Sequence, residues 1–585
     1  MKPEVDYSLY LVTDSTEAIL GNRDLISVVE QALQGGVTIV QYRDKTSDTG
    51  VLIRIARALH EKCKQYSIPL IINDRVDVAL AVGCEGVHLG QDDMSVTDAR
   101  NILGPSKIIG ATVSSVEEAR IAVERGADYL GIGTLYATNT KKNTKDIIGI
   151  AGTRKILESL SHPTSSAAAK QIKTVCIGGI NATNIQRILY QLHYSPFSSP
   201  SPPTIKPISG AAIVSAIIAS STPKHASSLL RSLITTSTTH PTFLPSNFSP
   251  SPSLPSPQTL LNATLTLHKT NPLTHNMTNL VVQNLAANVA LNIGASPIMS
   301  TNGTEARDLA ALHGALVVNM GTSTPEALTQ YKLAIEAYNA VGGPVILDPV
   351  GAGATAARKD ALRFLLGVGY FTVIKGNESE ILEVARASHI PIPIPIPSSS
   401  STTTPSPSSS PEQPQPQQQR GVDSTHTLTH PSKLSLVKTL ASTLRCTILM
   451  TGPTDILSNG TTTLSIKNGH EYLGRVTGTG CTLGTTISAY LAAAAAASST
   501  SSSSSPNDSH GPESKDEVKN IGVLEAALAS VLHFEIAAED AAASLDVKGA
   551  GSFVPAFLDA LAAYREGVVE GRLGEEWLRG RMRVE

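Results

Sequence analysis

The chain has 585 residues with 46 basic and 49 acidic side chains, a net charge of −3, so no basic field exists for nucleic acid or an anionic membrane, and neither is expected as a partner. Hydrophobic residues make up 41% but aromatics only 4%, and Ser/Pro/Thr tracts divide the rest into fewer folded blocks than the length alone would give. Five widely spaced cysteines (63, 84, 176, 446, 481) without a CxxC pair exclude a disulfide framework and a cysteine zinc site, and point to a reduced, cytoplasmic protein.

The opening "MKPEVDYSLYLVTD" lacks the apolar core of a signal peptide. Short β-rich runs follow: "SLYLVTD", "VTIVQYRD", "PLIIND", "GVHLG", "KIIGATV", "YLGIGT", "TVCIGG" and "GAAIVS". Helical patterns such as "VLIRIARALHEKCKQY" alternate with them. Eight such repeats predict a (β/α)8 TIM barrel over residues 1–235, an open doubly wound sheet being the alternative. Residues 221–257 are Ser/Pro-rich, with 236–257 taken as the linker. A second α/β block covers 258–570, with disordered Ser/Pro-rich insertions expected at about 390–432 and 498–517, and a smaller one at 195–203. The apolar run "AYLAAAAAASST" looks too short to cross a bilayer.

Barrels work at the C-terminal ends of their strands. The second predicted strand ends in Gln41, Arg43 and Lys45, whose i, i+2, i+4 spacing sets them on one face as an oxyanion clamp. Asn73 and Asp74 close the third strand, and Asp93 follows the fourth. Two carboxylates near two cations suit a Mg²⁺–diphosphate. Thr138, Thr140 and Lys141 follow strand six, and Gly-rich turns after strands seven and eight suit a second phosphate.

The motifs "QYRDK", "IINDRVDVAL…GVHLGQDD", "YLGIGTLYATNTKK", "CIGGINATN" and "AAIVSAI" together resemble thiamine-phosphate synthase over most of residues 5–220. The resemblance implies a barrel joining hydroxymethylpyrimidine diphosphate to a thiazole phosphate. It implies that Gln41, Tyr42, Arg43, Asp44, Lys45, Asn73, Thr112 and Lys141 hold the pyrimidine diphosphate, and Asp74 and Asp93 the Mg²⁺. Thr138, Asn139, Thr140, Gly179, Val214 and Ser215 would hold the thiazole phosphate. Thr112 stands where that family commonly has Ser, and the hydroxyl is kept.

In the second block "GALVVNMG", "GPVILDPVGAGAT", "YFTVIKGNESEIL" and "CTILMTGPTDIL" read as strands ending in polar turns, the third with an Asn-x-x-Glu from Asn377 to Glu380. No GxxxxGK[ST] is present, which excludes a P-loop kinase. The motifs "THNMTNLVVQNLAAN", "GASPIM", "ILDPVGAGAT", "KGNESEI", "VTGTGC" and "KGAGSF" resemble hydroxyethylthiazole kinase of the ribokinase-like group. That resemblance implies thiazole contacts from Met299 and Gly478, ATP contacts from Lys375 and Thr451, and Glu380 and Asp348 organising Mg²⁺ and phosphates. It also implies Cys481 in the place of a catalytic base, beside an anion hole formed by residues 478–480. A helix N-terminus depresses a thiol pKa, so a thiolate base is one reading; the other is a small buried Cys that only shapes the anion hole, since proton removal matters little in a loose phosphoryl-transfer transition state. Lys375 replaces a usual Arg, and Leu280 the second Asn of a usual Thr-Asn-Asn.

Together the blocks imply a bifunctional enzyme: the second phosphorylates the thiazole alcohol with ATP, and the first consumes the product. The partners implied are small molecules, with a homo-oligomer expected from the kinase resemblance. A thiamine-pathway sensor with retained pockets is the alternative, against which Asp74, Asp93, Lys141, Glu380 and Cys481, all intact, argue.

Overall fold

A computed structural model describes residues 2, 4–136, 147–192, 206–236, 241, 243–245, 254–392, 428–501 and 521–585, with side chains to 498 in the segment ending at 501. The chain divides into two compact units, Met1–Pro241 and Thr242–Glu585. Most of the insertions expected at 195–203, 390–432 and 498–517 lie outside the described residues.

The first unit is the closed barrel: β1 (Leu9–Val12), β2 (Ile39–Tyr42), β3 (Leu70–Asn73), β4 (Gly86–Leu89), β5 (Ile108–Val113), β6 (Tyr129–Gly133), β7 (Lys173–Ile177) and β8 (Gly210–Ile213) pair in that order. All pairs are parallel, and β8 closes on β1 with Tyr10 opposite Ala212. Alternation along each strand builds two cores. On β2, Ile39 joins Tyr7, Tyr10, Ile71, Ile108, Tyr129 and Val175 inside the barrel. Its neighbours Val40 and Tyr42 join the larger core under the helices. Helices start where side chains accept from orphan amides: Asp24 from Ser27 N, Ser95 from Asp98 N, Ser115 from Glu118 N. Within the Ser/Pro-rich stretch the residues after 221 are not linker. Pro223–Thr236 is a helix whose Ser227, Leu230 and Ile234 are buried, since three apolar or small residues at helical spacing outweigh a Ser-rich composition.

The second unit is an eight-stranded sheet in the order β10-β9-β11-β12-β13-β14-β15-β16. Its strands are β9 (Leu273–Met277), β10 (Ser296–Ile298), β11 (Ala315–Asn319), β12 (Val345–Asp348), β13 (Val373–Asn377), β14 (Thr447–Thr451), β15 (Asp455–Ser458) and β16 (Thr463–Ile466). The first five pairings along it are parallel and the last two, β14 with β15 and β15 with β16, antiparallel. The unit continues past residue 570, through the helix Glu575–Arg581 to a bridge between Val584 and Ile466.

The alanine run is longer as a helix than as a run. "CTLGTTIS" joins it to make Thr479–Ser501. Its 479–498 part is long and apolar enough to cross a membrane, and 72% of the most apolar stretch is buried inside the protein. It packs on the helices Val523–Ala543 and Pro257–Thr270, with Thr486 and Ser488 hydroxyls donating to carbonyls of the preceding turn. The last three residues of the insertion expected at 390–432 are also helical, opening His430–Leu444. There Glu378 accepts from the Leu428 amide at 2.8 Å and pairs with Lys433 at 2.7 Å, so the chain returning to the fold is fastened beside β13.

Candidate active sites

At the barrel mouth, period two decides which parts of "QYRDK" meet. Gln41 points inward and is buried, its Nε2 donating to Tyr10 Oη at 2.9 Å. Arg43 pairs with buried Asp14 at 3.3 Å, and its amide donates to Thr13 Oγ1. Lys45 reaches across to Asp74 at 2.8 Å. Two members of the motif are turned elsewhere. Tyr42 lies in the outer core. Asp44 is occupied in its own turn, accepting from the Thr46 and Ser47 amides at 2.9 and 3.1 Å. Burial opposes ionisation of Asp44, but these bonds outweigh it and hold its pKa below the usual value.

Asp74 follows β3 in the left-handed region, at φ +60°, unusual for any residue but glycine. Its amide donates to the His88 carbonyl of β4 at 2.8 Å. Burial works against its charge, yet hydrogen bonds from Asp93 and Lys45 keep its pKa low. Asp93 is pushed up by burial and then by the Asp74 carboxyl, while its Oδ2 accepts from Gly90 N at 2.7 Å. Thr112, in β5, bonds His88 Nε2 at 2.9 Å. Asn73 ends β3 opposite His88. After β7, Gly178 and Gly179 have positive φ (110° and 67°), with Asn184 Nδ2 donating to the Gly179 carbonyl. Val214 and Ser215 follow β8 directly. Thr138, Asn139, Thr140 and Lys141 lie outside the described residues.

In the second unit the strand ends β11, β12 and β13 meet the start of the helix Thr479–Ser501. Asp348 Oδ1 accepts from Lys375 Nζ at 3.1 Å, and Oδ2 from Asn319 Nδ2 at 2.8 Å. Both members of the ion pair are buried, at 1% and 3% exposure, which sets Lys375 against Asp348 rather than at the surface of a nucleotide crevice. Burial opposes the Lys375 charge, and Asp348, Cys481 and Glu380 outweigh it, so its pKa is raised. Asn279 Nδ2 donates to Asn319 Oδ1 at 3.1 Å and to Cys481 Sγ at 3.5 Å. Glu380 closes a capping box with Asn377, whose N lies on Oε2 at 2.8 Å, and Gly351 N reaches Oε1 at 2.9 Å. Burial, then Asp348, raises its pKa to about 7. Thr451 ends β14 opposite Asn377, and half-buried Met299 follows the edge strand β10. Gly478 holds φ +90°, and a Cβ there would come 2.7 Å from Val282 Cγ2.

The surroundings of Cys481 work against a thiolate. Burial first, and the Asp348 carboxylate second, push its thiol up to about 11 against the pull of Lys375. A neighbouring carboxylate in a dry site outweighs the helix terminus. Sequence reasoning passed over Tyr10, Tyr129, His88, Asp14 and Asn319. The signal available for two of them was a polar ring at an inward strand position, His88 in "GVHLG" and Tyr10 in "SLYLVTD".

Residues 9–194 match the thiamine monophosphate synthase model, and residues 265–391 and 413–505 the hydroxyethylthiazole kinase family. A probable thiamine biosynthetic bifunctional enzyme of Schizosaccharomyces pombe is 37% identical over 99% of this chain and 98% of its own. The thiamine biosynthetic bifunctional enzyme of Saccharomyces cerevisiae is 34% identical over 96% of each. A thiamine-phosphate synthase of Clostridium botulinum is 48% identical over 32% of this chain and 85% of its own. The chain belongs to the family of bifunctional thiamine biosynthetic enzymes, with a thiamine-phosphate synthase domain and an ATP-using hydroxyethylthiazole kinase domain in one polypeptide.

Proposed function

We propose that the barrel mouth is where hydroxymethylpyrimidine diphosphate is held by Gln41, Arg43, Lys45, Asn73, Thr112 and Lys141, and that the thiazole phosphate sits against Thr138, Asn139, Thr140, Gly179, Val214 and Ser215. The observation that carries this is the convergence of Arg43, Lys45, Asp74 and Asp93 from successive strands β2, β3 and β4 at one barrel end. Tyr42 and Asp44 serve by shaping the strand end instead of touching the ligand. Asp74 and Asp93 fit Mg²⁺: they are hard oxygen ligands following β3 and β4, and each carboxyl shifts the pKa of the other, a strain that a divalent cation would relieve. When bound, Mg²⁺ would neutralise charge on the diphosphate. Arg43 and Lys45 take the charge that grows as the carbon–oxygen bond breaks and its electron pair leaves with the diphosphate. The thiazole nitrogen, oriented by its own phosphate site, then supplies the pair for the new carbon–nitrogen bond.

In the second unit the thiazole alcohol lies between Met299, Gly478 and Cys481, and ATP beside Thr451. Glu380 and Asp348 are the carboxyls available to Mg²⁺, and a Glu380 pKa near neutrality reflects burial first and the Asp348 charge second, both of which a cation would offset. Lys375 acts on the phosphates only through Asp348, whose position it fixes. Cys481 keeps its proton at neutral pH and shapes the alcohol site. The alcohol proton departs late, as fits a loose phosphoryl-transfer transition state. All five cysteines are free thiols, which suits a reducing cytoplasm, and a homo-oligomer is part of the same reading.

The test is thiamine phosphate formation by the purified chain from hydroxyethylthiazole, the pyrimidine diphosphate, ATP and Mg²⁺. Added thiazole phosphate should restore Glu380→Gln but not Arg43→Ala. Wild-type rates from Arg43→Ala would remove the assignment of the barrel rim.

A further inference from the structure

Four hydrogen bonds run through the barrel interior, joining five strands. Gln41 Nε2 donates to Tyr10 Oη at 2.9 Å, and Tyr10 Oη lies 2.7 Å from Tyr129 Oη. Tyr129 Oη lies 2.8 Å from His88 Nδ1, and His88 Nε2 is 2.9 Å from Thr112 Oγ1. The two end residues are ones assigned above to the pyrimidine diphosphate; the three between them have no role in that assignment. The barrel makes room for them. A Cβ on Gly110 would stand 2.2 Å from Tyr129 Cζ, and one on Gly131 would stand 3.0 Å from His88 Cε1. Tyr129 also packs between Tyr7 and His88, with ring centroids 4.9 and 5.4 Å away.

Each hydroxyl in such a chain has one hydrogen, and a neutral imidazole donates from one nitrogen and accepts at the other. Tyr10 receives the Gln41 amide, so its own hydrogen goes on to Tyr129. Tyr129 then gives its hydrogen to His88 Nδ1, which leaves the proton of the ring on Nε2 and directs it at Thr112. The hydroxyl hydrogen of Thr112 is thereby turned away from His88, and the Gln41 carbonyl away from Tyr10. Reversing one link without the others sets two hydrogens face to face, or leaves a buried group unpaired, so the order reverses as a whole or not at all. Burial raises the pKa of both tyrosines, which keeps them neutral donors.

We propose that Gln41, Tyr10, Tyr129, His88 and Thr112 form a one-way hydrogen-bond relay that presents the Gln41 carbonyl as an acceptor and the Thr112 hydroxyl as a donor to the pyrimidine diphosphate. Tyr10, Tyr129 and His88 are positioning residues. The proposal rests on the reading of the barrel mouth given above and adds a rule of selection. The ligand must offer a hydrogen to β2 and a lone pair to β5, as an aminopyrimidine with a ring nitrogen and phosphate oxygens does.

The rule is tested by making the relay run backwards. Gln41→Glu supplies a carboxylate that cannot donate to Tyr10, so Tyr10 must donate to it and Thr112 is left as an acceptor. Thr112→Val should lower kcat/KM for the pyrimidine diphosphate about tenfold in the wild type, the loss of one hydrogen bond. It should lower it less than twofold in Gln41→Glu, and about tenfold again once Tyr129→Phe cuts the chain. Equal losses in all three backgrounds overturn the relay. Where Tyr129→Phe fails to fold, Tyr10→Phe cuts the chain one link earlier. Kinase turnover in the same preparations reports the amount of folded chain. Independently of activity, nitrogen NMR of the histidine-labelled full chain, with the signal assigned by His88→Gln, should show the Nε2–H tautomer, and the Nδ1–H tautomer overturns the stated direction. Should the wild type form no thiamine phosphate from both phosphorylated substrates, the reading of the mouth falls, and the tautomer still decides the relay.

Discussion

Replacing Lys375 by Met keeps the length of the side chain and removes the charge that faces Asp348 across β12 and β13. Asp348 is 1% exposed and would lose the Lys375 ammonium at 3.1 Å while keeping the Asn319 amide at 2.8 Å. Breaking one side of a buried ion pair costs about 3–5 kcal/mol, because the remaining charge stays dry and uncompensated. For a unit as large as Thr242–Glu585, at about 2 °C per kcal/mol, that is a fall of about 6–10 °C in Tm. The unpaired carboxyl relieves itself by taking up a proton, so its folded pKa stands above its unfolded one. Stability from such a group is present below the unfolded pKa and is lost as pH rises through the folded pKa. The deficit relative to wild type should therefore grow from pH 5 to pH 8. Lys375→Met/Asp348→Asn, which still offers an oxygen to Asn319, should recover most of it. Calorimetry of the three chains at both pH values reads this directly. A Lys375→Met chain melting within 1 °C of wild type at pH 8 would refute the role given to the pair.

With its thiol near 11, Cys481 is thiolate in about one molecule in a thousand at pH 8. Kinase kcat, followed by ADP release, should show no tenfold rise per pH unit between pH 7 and 9.5, and Cys481→Ala should retain measurable turnover with the same slope; a rise present in wild type and absent from Cys481→Ala would restore the thiolate base. Gly110→Ala places a methyl 2.2 Å from Tyr129 Cζ. Such overpacking should destabilise the barrel by about 1–3 kcal/mol, lowering thiamine phosphate synthesis while kinase turnover in the same chain holds. Asp93→Asn should raise the Mg²⁺ concentration giving half-maximal thiamine phosphate formation, measured by titration with the thiazole phosphate supplied; an unchanged midpoint would remove Asp93 from the metal site.

Alternation and strand-end residues made the barrel and β11 to β14 of the second sheet readable, because side-chain direction along a strand is a local property; β9, β10 and β16 carried no such signal. The same period, applied strictly, separates Gln41 from Tyr42, which a motif taken whole runs together. The pairing of Lys375 is hidden for a related reason. "IKGNES" reads as a strand end, but β13 runs on to Asn377, so the lysine lies two residues inside it and faces the next strand. The relay was out of reach, since Tyr10 and Tyr129 are 119 residues apart and His88 and Tyr129 are 41 apart, and only closure of the barrel joins them. The Cys481 thiol depends in the same way on a carboxylate from β12 that no local pattern pairs with it.

The fastening of Leu428 and Lys433 to Glu378 bears on how the protein can be engineered and how its relatives can diverge in length. On the near side of residues 393–427 Ile390 is buried, and on the far side Glu378 holds Leu428 and Lys433. With both ends held, each doubling of the length between them costs about 0.6 kcal/mol of closure entropy. That interval is accordingly where a reporter, a tag or a protease site can be grafted without pulling on the strands that carry Asp348 and Glu380.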